Sequence, residues 1–119
     1  MHLNREVIEV DGSHVEKVII KKDGTLEAVG VLDALWSDCR TLSVFVSQGR
    51  QVVHGHGRPD VGAVNAQGEQ LWTLKLVAGG AKLAAGTAYA RALGVMLSGD
   101  VPHVRRWTTR KVPVATDPN

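Results

Sequence analysis

The chain has 119 residues, a size that fits one domain with its own apolar core. Its formal net charge of +2 is too small to indicate a nucleic-acid partner, and its single cysteine, Cys39, excludes an internal disulfide framework. No apolar run approaches the roughly 18 residues that would predict a membrane span, and the first ten residues contain no apolar signal segment.

Three strands are predicted in the N-terminal part of the chain. Residues 5–10 alternate apolar and polar side chains, which is the pattern of a strand with one buried face, and residues 15–21 and 26–35 are two further extended runs, the last with a bulge expected at Gly30. Asp23-Gly24 lies between the second and third runs, and Asp-Gly in such a position is a strong hairpin signal. We expect residues 1–6 to form an N-terminal arm that becomes ordered on binding.

The strand pattern continues through the middle of the chain. Residues 41–47, TLSVFVS, alternate most cleanly, and residues 51–56 follow them after a turn that contains glycine. Residues 58–69 are interpreted as a longer loop with a short strand at residues 61–64.

Most of the apolar bulk lies in Glu69–Leu97, which we interpret as two long strands bent back on each other around Gly79-Gly80. The second strand has an alternative. Residues 81–97 are rich in Ala and Leu, which favour a helix, although Gly86 and Gly94 would each cost such a helix about 1 kcal/mol relative to Ala. We favour the strand, because a face of small residues alternates with larger ones and would let a facing sheet or a neighbouring subunit approach closely.

Residues 103–114 form the last predicted strand, and residues 115–119 are expected to form a flexible tail. About 7–8 short strands at spacings of about 8–12 residues are typical of an antiparallel β-sandwich or barrel. The sequence therefore predicts a mainly β protein with one domain over residues 1–119.

Candidate chemistry is sparse. His54-Gly55-His56 could bind a metal, because residues i and i+2 of a strand share a face, but Asp60 and His103 would have to converge with it. Cys39 is a candidate nucleophile that no motif pairs with a histidine base. Motifs of serine hydrolases, zinc proteases and phosphate-binding loops are absent from the sequence. We therefore expect a protein that is not an enzyme, without catalytic residues, metal or cofactor.

A basic stretch around one tryptophan is the predicted interaction surface. Its residues are Arg105, Arg106, Trp107, Arg110 and Lys111. In a regular strand Arg105, Trp107 and Lys111 would share one face, while Arg106 and Arg110 would share the other. Arg and Trp are enriched at the strongest protein contacts, but a solvated edge strand also carries such charges to discourage aggregation. Both interpretations stay open, and a protein partner is expected before nucleic acid.

Several segments resemble proteins of phage particles. TLSVFVSQG, QLWTLKL, GTAYARALGV and RRWTTRKVPV, between Thr41 and Val114, resemble the strands of immunoglobulin-like β-sandwich domains in virion proteins of actinobacterial phages. Residues 28–50, AVGVLDALWSDCRTLSVFVSQGR, are similar to a stretch of lambda-type head decoration proteins, where a GVL strand precedes an apolar strand and a turn with glycine. The first resemblance implies an immunoglobulin-like antiparallel β-sandwich, and the second implies a β-tulip-like fold.

Both resemblances imply the exterior of a phage particle, for a protein made in the host cytoplasm and without a membrane contact. They imply a non-enzymatic capsid decoration (cement) protein, a homo-oligomer on the particle, which binds the phage major capsid protein and stabilises the assembled head. A minor tail protein that binds other tail proteins is one alternative. The other is a surface-displayed module that binds carbohydrate or protein, whose aromatic platform would come from Trp36, Trp72 and Trp107.

Overall fold

The structure, a computed structural model, describes residues 6–8, 14–33, 39–98 and 101–117. The strands are β1 (Glu6–Ile8), β2 (His14–Ile20), β3 (Leu26–Asp33), β4 (Cys39–Gln48), β5 (Gln51–Gly57), β6 (Asp60–Val64), β7 (Glu69–Leu76), β8 (Gly86–Ser98) and β9 (Val101–Thr116). The prediction of a mainly β protein is confirmed. The described part of the chain contains no helix that could cross a membrane.

Hydrogen bonds join the strands into one sheet in the order β5-β4-β8-β9-β2-β3-β7-β6, and β1 also pairs with β9. β1 and β2 run parallel to β9, so the sheet is mixed, whereas the sequence predicted antiparallel pairing only. Strands far apart in the chain are free to pair in parallel because no short turn connects them. The two separate sheets of a sandwich are not confirmed, since one path of hydrogen bonds links these strands, and the immunoglobulin-like and β-tulip-like assignments stay predictions.

The two ends of this sheet meet, so that the strands form a ring. β5 pairs with β4 and β6 pairs with β7, and only Arg58 and Pro59 separate β5 from β6. The Val77 N–H, just after β7, donates to the His54 carbonyl at 2.7 Å, and the His54 N–H donates back at 3.4 Å. The same side of the chain thus pairs first with β6, along β7, and then with β5, at Val77. At the bend between them Gly57 has a φ of 152°, which residues with a side chain rarely adopt.

The apolar core fills the inside of the ring. Trp72 of β7 and Trp107 of β9 are 0% and 4% exposed, and their ring centroids lie 5.9 Å apart with the planes tilted by 32°. The buried side chains of β8 are Ala88, Ala90 and Ala92. The interior therefore combines the two large indoles and the Val and Leu side chains of the other strands with a row of small side chains on β8, as close packing requires. The small face predicted for this strand packs inside the domain.

The predicted hairpin around Gly79-Gly80 is wrong. β7 pairs with β3 and β6, whereas β8 pairs with β4 and β9. Both glycines have positive φ, at 58° and 94°, but residues 77–85 carry the chain to a different part of the ring. Alternation identifies a strand without identifying its partner, because every strand offers the same backbone donors and acceptors.

The alternative of a helix at residues 81–97 is not realised. Residues 86–98 form β8, in which the buried alanines alternate with the exposed Tyr89 and Arg91. Helix propensities differ by less than about 1 kcal/mol per residue, so pairing with strands on both sides and burial of one face decide the structure.

Both ends of the described chain are paired strands. β1 begins at Glu6, the last residue of the predicted arm, and residues 1–5 lie outside the described residues. β9 continues through Ala115 and Thr116, which the sequence predicted as tail and which pair with Ile19 and Ile20.

The Asp23 carboxylate stabilises the turn between β2 and β3. Its Oδ1 accepts hydrogen bonds from the Thr25 hydroxyl at 2.6 Å and from the Thr25 N–H at 3.0 Å. These two bonds hold the pKa of Asp23 below its ordinary value of 3.8. The Asp-Gly sequence therefore marks the turn of a hairpin, as predicted. Folding favours the charged form of the Asp23 side chain in this turn.

We expect Asp23→Asn to reduce the acid sensitivity of the domain. A carboxylate whose pKa is lowered by folding contributes its full stabilisation of the folded state above pH 3.8, the ordinary pKa. This contribution is lost as the pH falls through the lower pKa of the folded state. Urea unfolding at neutral pH and at about pH 2 should show a smaller loss of stability for Asp23→Asn than for the wild type. An equal loss in both proteins would contradict this role of Asp23.

Candidate functional site

Charge is segregated between two parts of the ring. The neighbouring strands β5, β4, β8 and β9 contain six Lys and Arg and no Asp or Glu. The rest of the chain holds all 12 Asp and Glu with the other eight of the 14 Lys and Arg. The net charge of +2 thus conceals a cationic group of four adjacent strands.

The outward side chains of these strands include a stack that crosses three of them. Phe45 of β4 lies directly opposite His54 of β5 and Arg91 of β8. The His54 ring stacks on Phe45 with centroids 4.8 Å apart and planes 21° apart, and the Arg91 guanidinium carbon lies 4.4 Å from the Phe45 centroid. An exposed cation–π contact of this kind contributes about 0.5–1 kcal/mol, which is enough to restrict the Arg91 side chain.

Tyr89 stands beside this stack. It is 54% exposed and lies opposite Ser47 on one side and Lys111 on the other. A recess of about 260 Å³ is lined by Phe45, Val46, Ser47, Val52, Tyr89, Arg91 and Thr109. The "basic face" is the outward surface that carries Phe45, His54, Tyr89, Arg91 and Lys111.

The two histidines of His54-Gly55-His56 share this outer side, as the sequence predicted for a strand. Their rings lie 6.3 Å apart, and His56 Nδ1 is 2.5 Å from the Ser43 hydroxyl. Within the described residues no group of three potential metal ligands comes together. A nucleophilic serine needs a base that a third group orients, and the described contacts of His56 include no such group. Gly55 points inward, where a Cβ would overlap the Lys75 carbonyl and Leu76 of β7.

The structure divides the predicted basic stretch between two sides of the sheet. Trp107 belongs to the core, so its ring is not on the surface. Arg91 is opposed by two residues of β9, because the pairing shifts from Ala90–Arg110 to Ala92–Trp107. This β-bulge moves the later side chains of the strand to the opposite face. The regular grouping of Trp107 with Lys111 is therefore wrong, and Lys111 shares the outer side with Tyr89.

The other predicted cations have different surroundings. Arg105 and Arg106 are half-buried and lie opposite Gly94 and Leu93 of β8, and both make contacts within the protein. Arg110 is exposed beside the bulge. Two of the five predicted residues, Arg110 and Lys111, are therefore exposed cations.

Sequence reasoning missed the aromatic part of the basic face. Phe45 and Tyr89 lie in segments predicted as strands, but the sequence gives them no role, since which face of a strand is outward depends on the neighbouring strands. The available signal was the absence of acidic residues from residues 39–57 and 86–98.

A second surface is apolar. Four of the six large apolar side chains that are most exposed lie on β6, on β7 or directly after it, and we name them the apolar edge: Val61 (43%), Val64 (56%), Leu71 (47%) and Val77 (71%). β6 pairs only with β7 among the described strands, so its other side presents backbone donors and acceptors.

No protein-family model matches the chain, and no curated protein matches its sequence.

Proposed function

We propose that this chain is a non-enzymatic structural protein of a phage particle, and specifically a capsid decoration protein. The observation that carries the proposal is the apolar edge. Exposed apolar side chains beside an unpaired strand edge are typical of surfaces that another protein covers. The resemblance of residues 28–50 to head decoration proteins gives the class of partner, the surface of an assembled shell.

The apolar edge suits a partner that offers an extended segment. All five residues of β6 are exposed, and a Cβ at Gly62 would meet only the Leu71 carbonyl, at an ordinary 3.5 Å. The fold therefore does not require glycine there, whereas close approach of another backbone would favour it. The bulge opposite Leu71 limits this pairing to a short stretch. A protein that binds only the assembled shell stabilises it by mass action.

Two alternative functions, a minor tail protein and a carbohydrate-binding module, would give the surfaces of this protein other roles. A minor tail protein would bury the apolar edge against a tail component. A carbohydrate-binding module would need an exposed aromatic platform, and neither Trp72 nor Trp107 can supply it because both are buried. Trp36 lies outside the described residues, and Tyr89 is the exposed ring that such a module would use.

Cosedimentation with capsids of the phage that encodes the chain tests the proposal. We expect saturable binding by the wild-type protein and at least about tenfold weaker binding by a Val64→Asp, Leu71→Asp double variant, because each charge would have to be desolvated in the contact. Val52→Asp is the matched control, since Val52 is 59% exposed but lies on β5 within the acid-free strands. Failure of the wild type to bind capsids, or equal binding by all three proteins, would overturn the proposal.

A further inference from the structure

We infer that the basic face binds single-stranded nucleic acid, as an activity separate from the contact made by the apolar edge. The inference depends on charge, on stacking surfaces and on the fixed arrangement of both. The net charge gave no reason to expect it, because the 12 acidic residues that lie outside these four strands offset the cations.

The charge of the face suits a phosphate backbone. Arg91 and Lys111 are exposed on the neighbouring strands β8 and β9. No carboxylate occurs on any of the four strands that form this surface, so a bound polyanion meets no like charge from them. Ser47 and Thr109 line the recess beside Arg91, and their hydroxyls are additional donors to phosphate oxygens.

The same face offers surfaces on which bases stack. The Tyr89 ring is 54% exposed beside a recess of about 260 Å³. The Arg91 guanidinium is held against Phe45 at 4.4 Å, and a guanidinium plane is a second stacking surface for a base. Aromatic rings combined with a positively charged groove are the general means by which proteins hold single strands without reading their sequence.

The arrangement is already formed without a ligand. Phe45 is flanked by His54 at 4.8 Å and by Arg91, so the central side chains of the face lose little freedom on binding. A duplex is a poorer partner, because its grooves admit a helix or a two-stranded ribbon, and this surface is the outside of a four-stranded part of a sheet. An acidic protein would pair with the cations but would not stack on the exposed Tyr89 ring as a nucleobase would. Binding of an acidic protein is therefore the competing outcome of the test.

Fluorescence anisotropy of labelled oligo(dT) of about 20 nucleotides measures the proposed binding. We expect the wild-type protein to bind at about 50 mM NaCl and to lose affinity steeply towards 200 mM. Tyr89→Ala should weaken binding about tenfold while Tyr89→Phe keeps most of it, since the ring and not the hydroxyl stacks. Lys111→Ala should weaken binding and reduce the salt dependence by roughly one phosphate contact. Lys75→Ala, an exposed cation on β7, is the matched control and should stay within about twofold of the wild type.

Three results would overturn the inference: no binding by the folded wild-type protein at low salt, equal affinity of the wild type and Tyr89→Ala, or polyglutamate competing as strongly as unlabelled oligo(dT). The last result would assign the face to an acidic protein. The Val64→Asp, Leu71→Asp variant should keep its affinity for oligo(dT), and Tyr89→Ala should keep its binding to capsids. Failure of this inference is thus distinguishable from failure of the proposed shell contact.

Discussion

Replacement of Gly55 by valine should destabilise the domain by about 3 kcal/mol or more, which is at the upper end of the cost of overpacking a core. A Cβ at this position would overlap the Lys75 carbonyl and approach Leu76 Cδ2 within 2.8 Å. The carbonyl belongs to β7, which pairs with β3 at this residue, Lys75 opposite Glu27, so the backbone cannot shift without disturbing that pairing. The substitution would therefore separate β5 from β7 at the pairing of His54 with Val77.

The neighbouring strand supplies a matched control. Gly62→Val introduces the same side chain into β6, where the nearest atom to a Cβ is the Leu71 carbonyl at 3.5 Å. Neither glycine has a positive φ, so backbone strain does not distinguish them. Urea unfolding followed by far-UV circular dichroism should show a loss of less than about 1 kcal/mol for Gly62→Val. Similar losses in the two variants would show that β5 and β7 are not sealed together at this position.

Trp72→Ala should cost about 3–5 kcal/mol, because it removes a fully buried indole from the centre of the ring. The more informative experiment combines Trp72 with Gly30, which lies directly opposite it on β3. A Cβ on Gly30 would overlap the Trp72 ring and the His14 carbonyl. Gly30→Ala alone should therefore cost about 1–3 kcal/mol, although alanine is an acceptable residue for an extended backbone.

The double variant Gly30→Ala, Trp72→Leu should be less destabilised than the sum of the two single variants by about 1 kcal/mol or more. A shorter side chain at position 72 removes the overlap with the ring, while the overlap with the His14 carbonyl remains, so the relief should be partial. Free energies of unfolding of the four proteins complete the double-mutant cycle. Additive losses would contradict the close approach of Gly30 to the indole.

The positions of most strands could be predicted from the sequence because their inward and outward residues alternate with a period of two. This holds even for β8, whose composition favours a helix, since alternate burial of its alanines is visible as alternate small residues. The partners of the strands could not be predicted. Gly79-Gly80 resembles the turn of a hairpin, yet the strands on either side of it pair elsewhere.

The candidate site was predicted only in part, and one extra residue in β9 explains much of the difference. Lys111 was predicted to share a face with Trp107, but the bulge opposite Arg91 places Trp107 in the core and leaves Lys111 outside beside Tyr89. A bulge has no strong sequence signature in a run such as RRWTTRK, because its residues also suit a regular strand. The stack of Arg91, Phe45 and His54 joins three strands and follows only from their pairing.

The parallel pairing of β2 with β9 determines the order in which the chain can fold during synthesis. β9 lies between β8 and β2, and its register with β2 joins Val18 to Val114. A nascent chain therefore carries the unpaired edges of β2 and β8 until β9 has left the ribosome. Contacts this distant in sequence make folding slow, and exposed edges make the waiting chain prone to aggregation. We expect the domain to depend on chaperones on the ribosome more than an all-hairpin fold of equal length would.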